Sequence, residues 1–201
     1  MHEALRKYIN KYASVEISDE DFEKIKNRFI SKHFRKNQYL LQEGEVCKYV
    51  AFIVKGAFRQ YTIDQKGITH IVNLSTENWW IGDRESFTML TPADYNIDAV
   101  EDSDVLLLTK ANFQELVSTV PVFVAVLSTM DHNNQIATQK RINAAISFSA
   151  EERYLNLLAT NPALIQRFPQ NMIASFLGVS PETISRIRKK NASIKGLFLS
   201  Y

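Results

Sequence analysis

Ala174-Ser-Phe-Leu-Gly-Val-Ser-Pro-Glu-Thr-Ile-Ser-Arg-Ile-Arg-Lys-Lys190 is the stretch around which the chain is organised. Met172, Ile173, Phe176 and Leu177 form one apolar face of a short helix. Gly178 suits the left-handed position that ends it, and Val179 packs into the angle. Ser180 is a good N-cap for a second helix, Pro181 fits its first position, and Glu182 suits its positive end. Each signal alone is common. Their order predicts two short helices joined by a turn of about four residues, a helix-turn-helix.

On the second helix Ile184 and Ile187 share a face that would join a core. At roughly 100° per residue, Glu182, Arg186 and Lys189 fall on the opposite face. Thr183, Ser185 and Lys190 flank them. Arginine donates two hydrogen bonds to the major-groove edge of guanine, and glutamate accepts from cytosine N4. Lysines and hydroxyls are better placed to hold phosphates. The expected DNA-binding set is therefore Ser180, Glu182, Thr183, Ser185, Arg186, Lys189 and Lys190. An ordinary surface helix is the alternative, because its dipole also favours an acid at the start and bases at the end.

Charge supports a polyanion partner for this end only. From Arg167 onward there are six basic residues, the last of them Lys195, and one acid, Glu182. That segment carries +5 and the remainder −3, within an overall +2.

Working back along the chain, residues 3–32 show helical spacing, in Leu5, Tyr8, Ile9 and Tyr12 and again in Phe22, Ile25, Phe29 and Ile30. Ser18 and Asp21 resemble a capping box at the start of the second pattern. From His33 the pattern changes to short β-branched and aromatic runs at 38–42, 48–54, 58–62, 69–74, 97–99 and 105–109. Glycines 44, 56, 67 and 82 fall between them. Short strands with regular turns and no intervening helices predict an antiparallel barrel or sandwich. Helices return at Lys110. Pro121 opens a stretch to about Ile146 without glycine or proline. It predicts one long helix with Val122, Val126, Met130, Ala137 and Ala144 along it, packing on the barrel and pairing with its twin. Asn133 and Lys140 interrupt that seam. Ser149-Ala-Glu-Glu152 is a capping box for a further helix, closed by Asn161-Pro162.

Composition excludes several classes. Hydrophobic content of 45% and charge of 23% fit a globular protein. No apolar run approaches the roughly 20 residues of a membrane span. The N-terminal residues lack a signal-peptide core, so no membrane partner and a cytoplasmic location are expected. Cys47, the single cysteine, supports neither an internal disulfide nor a cysteine-ligated cluster. His2, His33, His70 and His132 show no metal-ligand spacing. Asp83 and Glu85 have no base or nucleophile for a partner, and no enzyme, metal or cofactor is indicated. Trp79, Trp80, Arg84, Tyr95 and Asn96 are candidates to touch a barrel cavity, with packing the favoured role for the two tryptophans.

The order barrel, long helix, helix-turn-helix resembles the catabolite activator/fumarate-nitrate regulator (Crp/Fnr) superfamily. Leu41-Gln-Glu-Gly-Glu45, Phe52-Ile-Val-Lys-Gly56, Trp80-Ile-Gly-Asp83, Val100-Glu-Asp-Ser-Asp-Val105 and 173–188 carry the likeness over most of the chain. The segment 173–178 is similar to the version common in Bacteroidetes members. The resemblance implies an α+β chain. Residues 1–118 would form a cyclic-nucleotide-binding-like, jelly-roll-like antiparallel β-barrel, 119–147 a dimerisation helix, and 148–201 a helix-turn-helix domain. It implies a homodimeric transcriptional regulator on a two-fold-symmetric DNA site, with RNA polymerase as a further partner. Glu182 and Arg186 match the family's base-reading pair, while Pro181 stands where an arginine is usual. The effector pocket implied is Gly82, Asp83, Arg84, Tyr95 and Asn96. Pro92-Ala-Asp-Tyr95 lacks the arginine that neutralises a cyclic phosphate, so cAMP is not the expected effector and its replacement is unidentified. The rival reading is a small-molecule-binding or protein-interaction module whose C-terminal helices serve assembly. Eleven residues follow Lys190, which leaves little room for a β-wing.

Overall fold

The computed structural model describes residues 1–13 and 15–198, with the side chains of 192–198, Lys195 among them, outside the described residues. The chain divides into two compact units. One is Met1–Thr62 with Val72–Ile136; the other is Ile63–Ile71 with Ala137 onward.

In the first unit, α1 (His2–Tyr12) and α2 (Asp19–Lys26) lead into β1 (Ile30–Phe34). Ser18 caps α2, its Oγ accepting from Asp21 N at 3.1 Å. The helical pattern expected to run to residue 32 stops at α2, and Ile30 opens a strand instead. The cause is nonlocal. Four of the five β1 residues are exposed, so no alternation marks the strand in sequence. Its antiparallel pairing with Leu107 to Ser103 makes it one.

The following strands are β2 (Tyr39–Leu41), β3 (Tyr49–Lys55), β4 (Phe58–Ile63), β5 (Thr69–Ser75) and β6 (Trp80–Ile81). Helix α3 (Arg84–Met89) precedes β7 (Asn96–Ala99) and β8 (Ser103–Thr109). They form two four-stranded sheets, ordered β1-β8-β3-β6 and β2-β7-β4-β5. The named pairings are antiparallel. Successive side chains in a strand point to opposite faces. Accordingly Val105 and Leu107 join Phe34, Ala51, Ile53, Phe58 and Ile97 between the sheets. Leu106 and Leu108 join Phe52 on the other face, under the helices. Burial on both faces explains why β8 reads as an unbroken Val-Leu-Leu-Leu run rather than an alternating one.

The helical layer is α1, α2, α4 (Lys110–Thr119) and the first half of α5 (Pro121–Ser147). Leu5, Ile9, Ile25, Leu116, Phe123 and Val126 are nearly inaccessible there. Tyr8, Phe29, Phe52 and Trp80 form a ring cluster with centroids 5.0–6.4 Å apart. Trp80 is thus a packing residue. Val126 is buried in this same core, and Val122 and Met130 pack against it half-buried, as expected of a helix lying on the barrel. Residues 131–143 are exposed at every position.

In the second unit, α6 (Ala150–Thr160), α7 (Pro162–Arg167), α8 (Gln170–Leu177) and α9 (Pro181–Phe198) follow one another. Ser149 and Glu152 form the expected reciprocal capping box on α6. Tyr154, Ala174, Ile184 and Ile187 make the small core. Residues 191–198 extend α9. The tip 63–71 belongs to this unit through Ser175 of α8, whose Oγ accepts from Ile71 N at 2.9 Å and donates to the Thr69 carbonyl at 3.3 Å. Arg141 of α5 lies 5.6 Å from the centre of the Phe176 ring. Among the described residues no single helix is long and apolar enough to cross a membrane.

Candidate functional site

The α8–α9 pair is built by the signals read in its sequence. Gly178 sits at φ 66°, ψ 40°, a left-handed conformation that glycine adopts without steric penalty. Val179 N donates to Ala174 O at 2.9 Å, the six-residue closure of a Schellman turn. Ser180 Oγ accepts from Thr183 N at 3.3 Å and so caps α9. Ile184 and Ile187 are buried against α6 and α8.

That packing decides which side chains remain outward. Glu182, Arg186, Arg188, Lys189 and Lys190 are exposed, and Thr183 and Ser185 are half-buried. The backbone N–H of Glu182, followed by the Ser180 hydroxyl, holds the Glu182 carboxyl below the usual glutamate range. It therefore stays ionised at the positive end of α9. Arg186 Nη2 donates to Thr183 Oγ1 at 3.4 Å, one turn back on the same face.

Three side chains of α9 are already engaged with α6 or α8. Lys190 Nζ lies 2.7 Å from Glu151 Oε2. Arg188 Nε donates to Tyr154 OH at 2.9 Å. Ser185 Oγ accepts from Gln170 Nε2 at 2.7 Å. Glu151, Tyr154 and Gln170 were not in the sequence-derived set. Their partners are 15 to 39 residues away, and no local period links them.

The five expected effector residues go to separate partners. A Cβ on Gly82 would stand 3.2 Å from Val50 Cγ1, so the glycine marks a close approach to β3. Asp83 is buried as the N-cap of α3, accepting from Ser86 N at 3.0 Å. Arg84 forms two 2.8 Å hydrogen bonds with Asp131 on α5. Asn96 is clasped by Glu43, accepting from its backbone N–H at 3.1 Å and donating to its carboxylate at 3.3 Å. Tyr95 is half-buried. Two surface hollows of about 470 and 400 Å³ are lined by other residues, around Arg28 and Glu115 and around Cys47 and Tyr49.

Comparison with known proteins places these parts. Residues 31–120 match the family described as cyclic nucleotide-binding domain. Curated sequences give no match. Among solved structures, FixK2 from Bradyrhizobium japonicum superposes with a TM-score of 0.69 at 18% identity, over 83% of this chain and 86% of that one. The catabolite activator protein of Thermus thermophilus gives 0.55 at 18% identity, over 89% and 85%. A protein from Eubacterium rectale assigned to the crp/fnr family gives 0.64 at 14% identity, over 87% and 83%. At such identities the likeness is one of fold. Residues 31–120 thus match the cyclic nucleotide-binding domain family, and the chain as a whole shares the fold of these solved structures.

Proposed function

We propose that this chain is a DNA-binding transcriptional regulator that acts as a homodimer, with α9 as its recognition helix. The observation that carries the reading is the outward face of α9. Glu182, Arg186 and Lys189 stand opposite the buried Ile184 and Ile187, on a helix capped at Ser180 and anchored to α6 and α8. Glu182 and Arg186 would read bases, and Ser180, Thr183 and Lys189 would hold phosphates. Lys190 would join them by exchanging Glu151 for a phosphate oxygen.

Dimerisation is supported by α5. Its segment 131–143 is exposed on all sides, including Ile136 and Ile142. A helix without an apolar contact is weakly stable by propensity alone, and a twin helix supplies that contact. The twin would lie on the C-terminal part of α5, because the N-terminal part is committed to its own core.

The barrel does not suit a cyclic phosphate. Phe34, Phe58 and Phe87 occupy its interior with Leu41 and Ile97, and the Arg84 guanidinium is paired to α5. We therefore infer regulation by a signal other than cAMP; RNA polymerase as a further partner is what the family resemblance implies.

Fluorescence anisotropy of a labelled duplex selected by the protein from a random pool tests this reading. Several phosphate contacts would make log K fall linearly with log salt, at about −0.9 per contact. Affinity independent of salt, together with a monomer in sedimentation equilibrium, would leave the protein-interaction reading instead.

A further inference from the structure

Gln170 opens α8, yet both hydrogens of its amide nitrogen go to α9. Nε2 donates to the Pro181 carbonyl at 2.8 Å and to Ser185 Oγ at 2.7 Å. The first bond fixes the amide orientation on chemical grounds. A carbonyl oxygen has no proton, so the flipped amide would set two acceptors 2.8 Å apart. The second bond then fixes the serine. An amide nitrogen does not accept, so Ser185 Oγ is the acceptor and its own proton is left to be donated.

We propose that Gln170 is a positioning residue for DNA recognition: it fastens the first turns of α9 to α8 and sets the Ser185 hydroxyl as a donor toward a DNA acceptor atom. This rests on the reading of α9 as the recognition helix. The acceptor is either a base edge or a phosphate oxygen. In the major groove G, A and T present acceptors, whereas C presents only its N4 donor there. With one of its two lone pairs taken by Gln170, the Ser185 hydroxyl is biased toward donating, and against a base edge it disfavours C at one position. A free serine hydroxyl, able to donate or accept, does not.

Pro181 suits the first position of α9, where an N–H would have no helical partner, and its carbonyl gains the Gln170 bond in addition to the helical one. The anchor is a side chain from α8 rather than a contact to DNA, so the helix is oriented before DNA arrives.

The test is a double-mutant cycle with full-length protein on the selected duplex and on an unrelated one. Gln170→Met keeps the length of the side chain, stays neutral and cannot donate, and Ser185→Ala removes the hydroxyl. Each single variant is expected to lose about threefold to tenfold in affinity, the range of one neutral hydrogen bond. The double variant is expected to lose little more than the weaker single. If Ser185 meets a base, Gln170→Met raises tolerance for C at one position and the unrelated duplex is unaffected. If it meets a phosphate, affinity falls on both duplexes alike while the salt slope stays unchanged, because the hydroxyl is neutral. Additive losses on the selected duplex overturn the proposal in either case. Should Gln170→Met not fold, Gln170→Ala takes its place. Should neither fold, an unaltered base preference and affinity in Ser185→Ala overturn it. Failure of the recognition-helix reading itself looks different: Arg186→Ala would then leave the selected duplex bound as tightly as before, and this proposal falls with it.

Discussion

The Arg84 guanidinium meets the Asp131 carboxylate edge to edge, with Nη1 2.8 Å from Oδ1 and Nη2 2.8 Å from Oδ2. The pair joins the first turn of α3 to the middle of α5. It is also exposed, Arg84 at 75% and Asp131 at 53% of the side-chain surface, so solvent screens it strongly. Either alanine variant is expected to cost below about 1 kcal/mol in urea denaturation, and less again at high salt. Calorimetric titration of the wild type with cAMP is expected to show no saturable heat. Micromolar binding would show that Arg84 leaves Asp131 for a phosphate.

Arg186 is the residue on which sequence reading depends most. Replacing it with alanine is expected to weaken binding to a selected duplex by about 1–3 kcal/mol and to relax one base preference. Binding to unrelated DNA should change far less. An unchanged preference after repeated selection removes Arg186 from base readout.

Gly56 joins β3 to β4 at φ 109°. A Cβ there would lie 2.0 Å from Ser103 Oγ and 2.7 Å from Ser103 Cα. Ser103 cannot yield easily, because its Oγ accepts from Ala57 N at 3.2 Å and donates to Glu101 O at 2.7 Å. Gly56→Ala is expected to destabilise the first unit by more than about 2 kcal/mol, combining backbone strain and overpacking. A loss under about 0.5 kcal/mol by chemical denaturation would contradict the described turn.

Glu152 carries a pH signature. The Ser149 backbone N–H, then its hydroxyl, hold the Glu152 carboxyl below its ordinary value of 4.5. A carboxyl depressed in the folded state stabilises fully above the unfolded value and loses that contribution as pH falls through the folded one. Thermal melts between about pH 6 and about pH 3 should therefore drop less steeply for Glu152→Gln than for the wild type. Parallel curves would mean that the box contributes nothing.

Local chemistry made the helix pair legible. Gly178, Ser180 and Pro181 each act within a few residues, so their roles follow from the chain itself. The exposed Glu182, Arg186 and Lys189 face followed from helical period in the same way. What the residues alone did not give was nonlocal. Strand β1 exists because β8 pairs with it, and its exposed sequence carries no alternation. Trp80-Ile81 is too short to show a period at all. Val122, Val126 and Met130 fit a dimer seam by spacing, and only the core beneath them shows which partner they meet. The engagement of Ser185, Arg188 and Lys190 depends on residues of α8 and α6 that no spacing rule connects.

The short segment 63–71 changes how this chain can be taken apart. A cut between 136 and 137 follows the linear map, since the described elements after it are all helices. Such a cut would strip Ser175 of both backbone groups that satisfy its hydroxyl, Ile71 N and Thr69 O. The C-terminal unit is discontinuous, and its missing piece is encoded in the β4–β5 connection. A fragment or fusion that is meant to carry the α8–α9 pair intact needs that loop supplied as well, grafted or co-expressed.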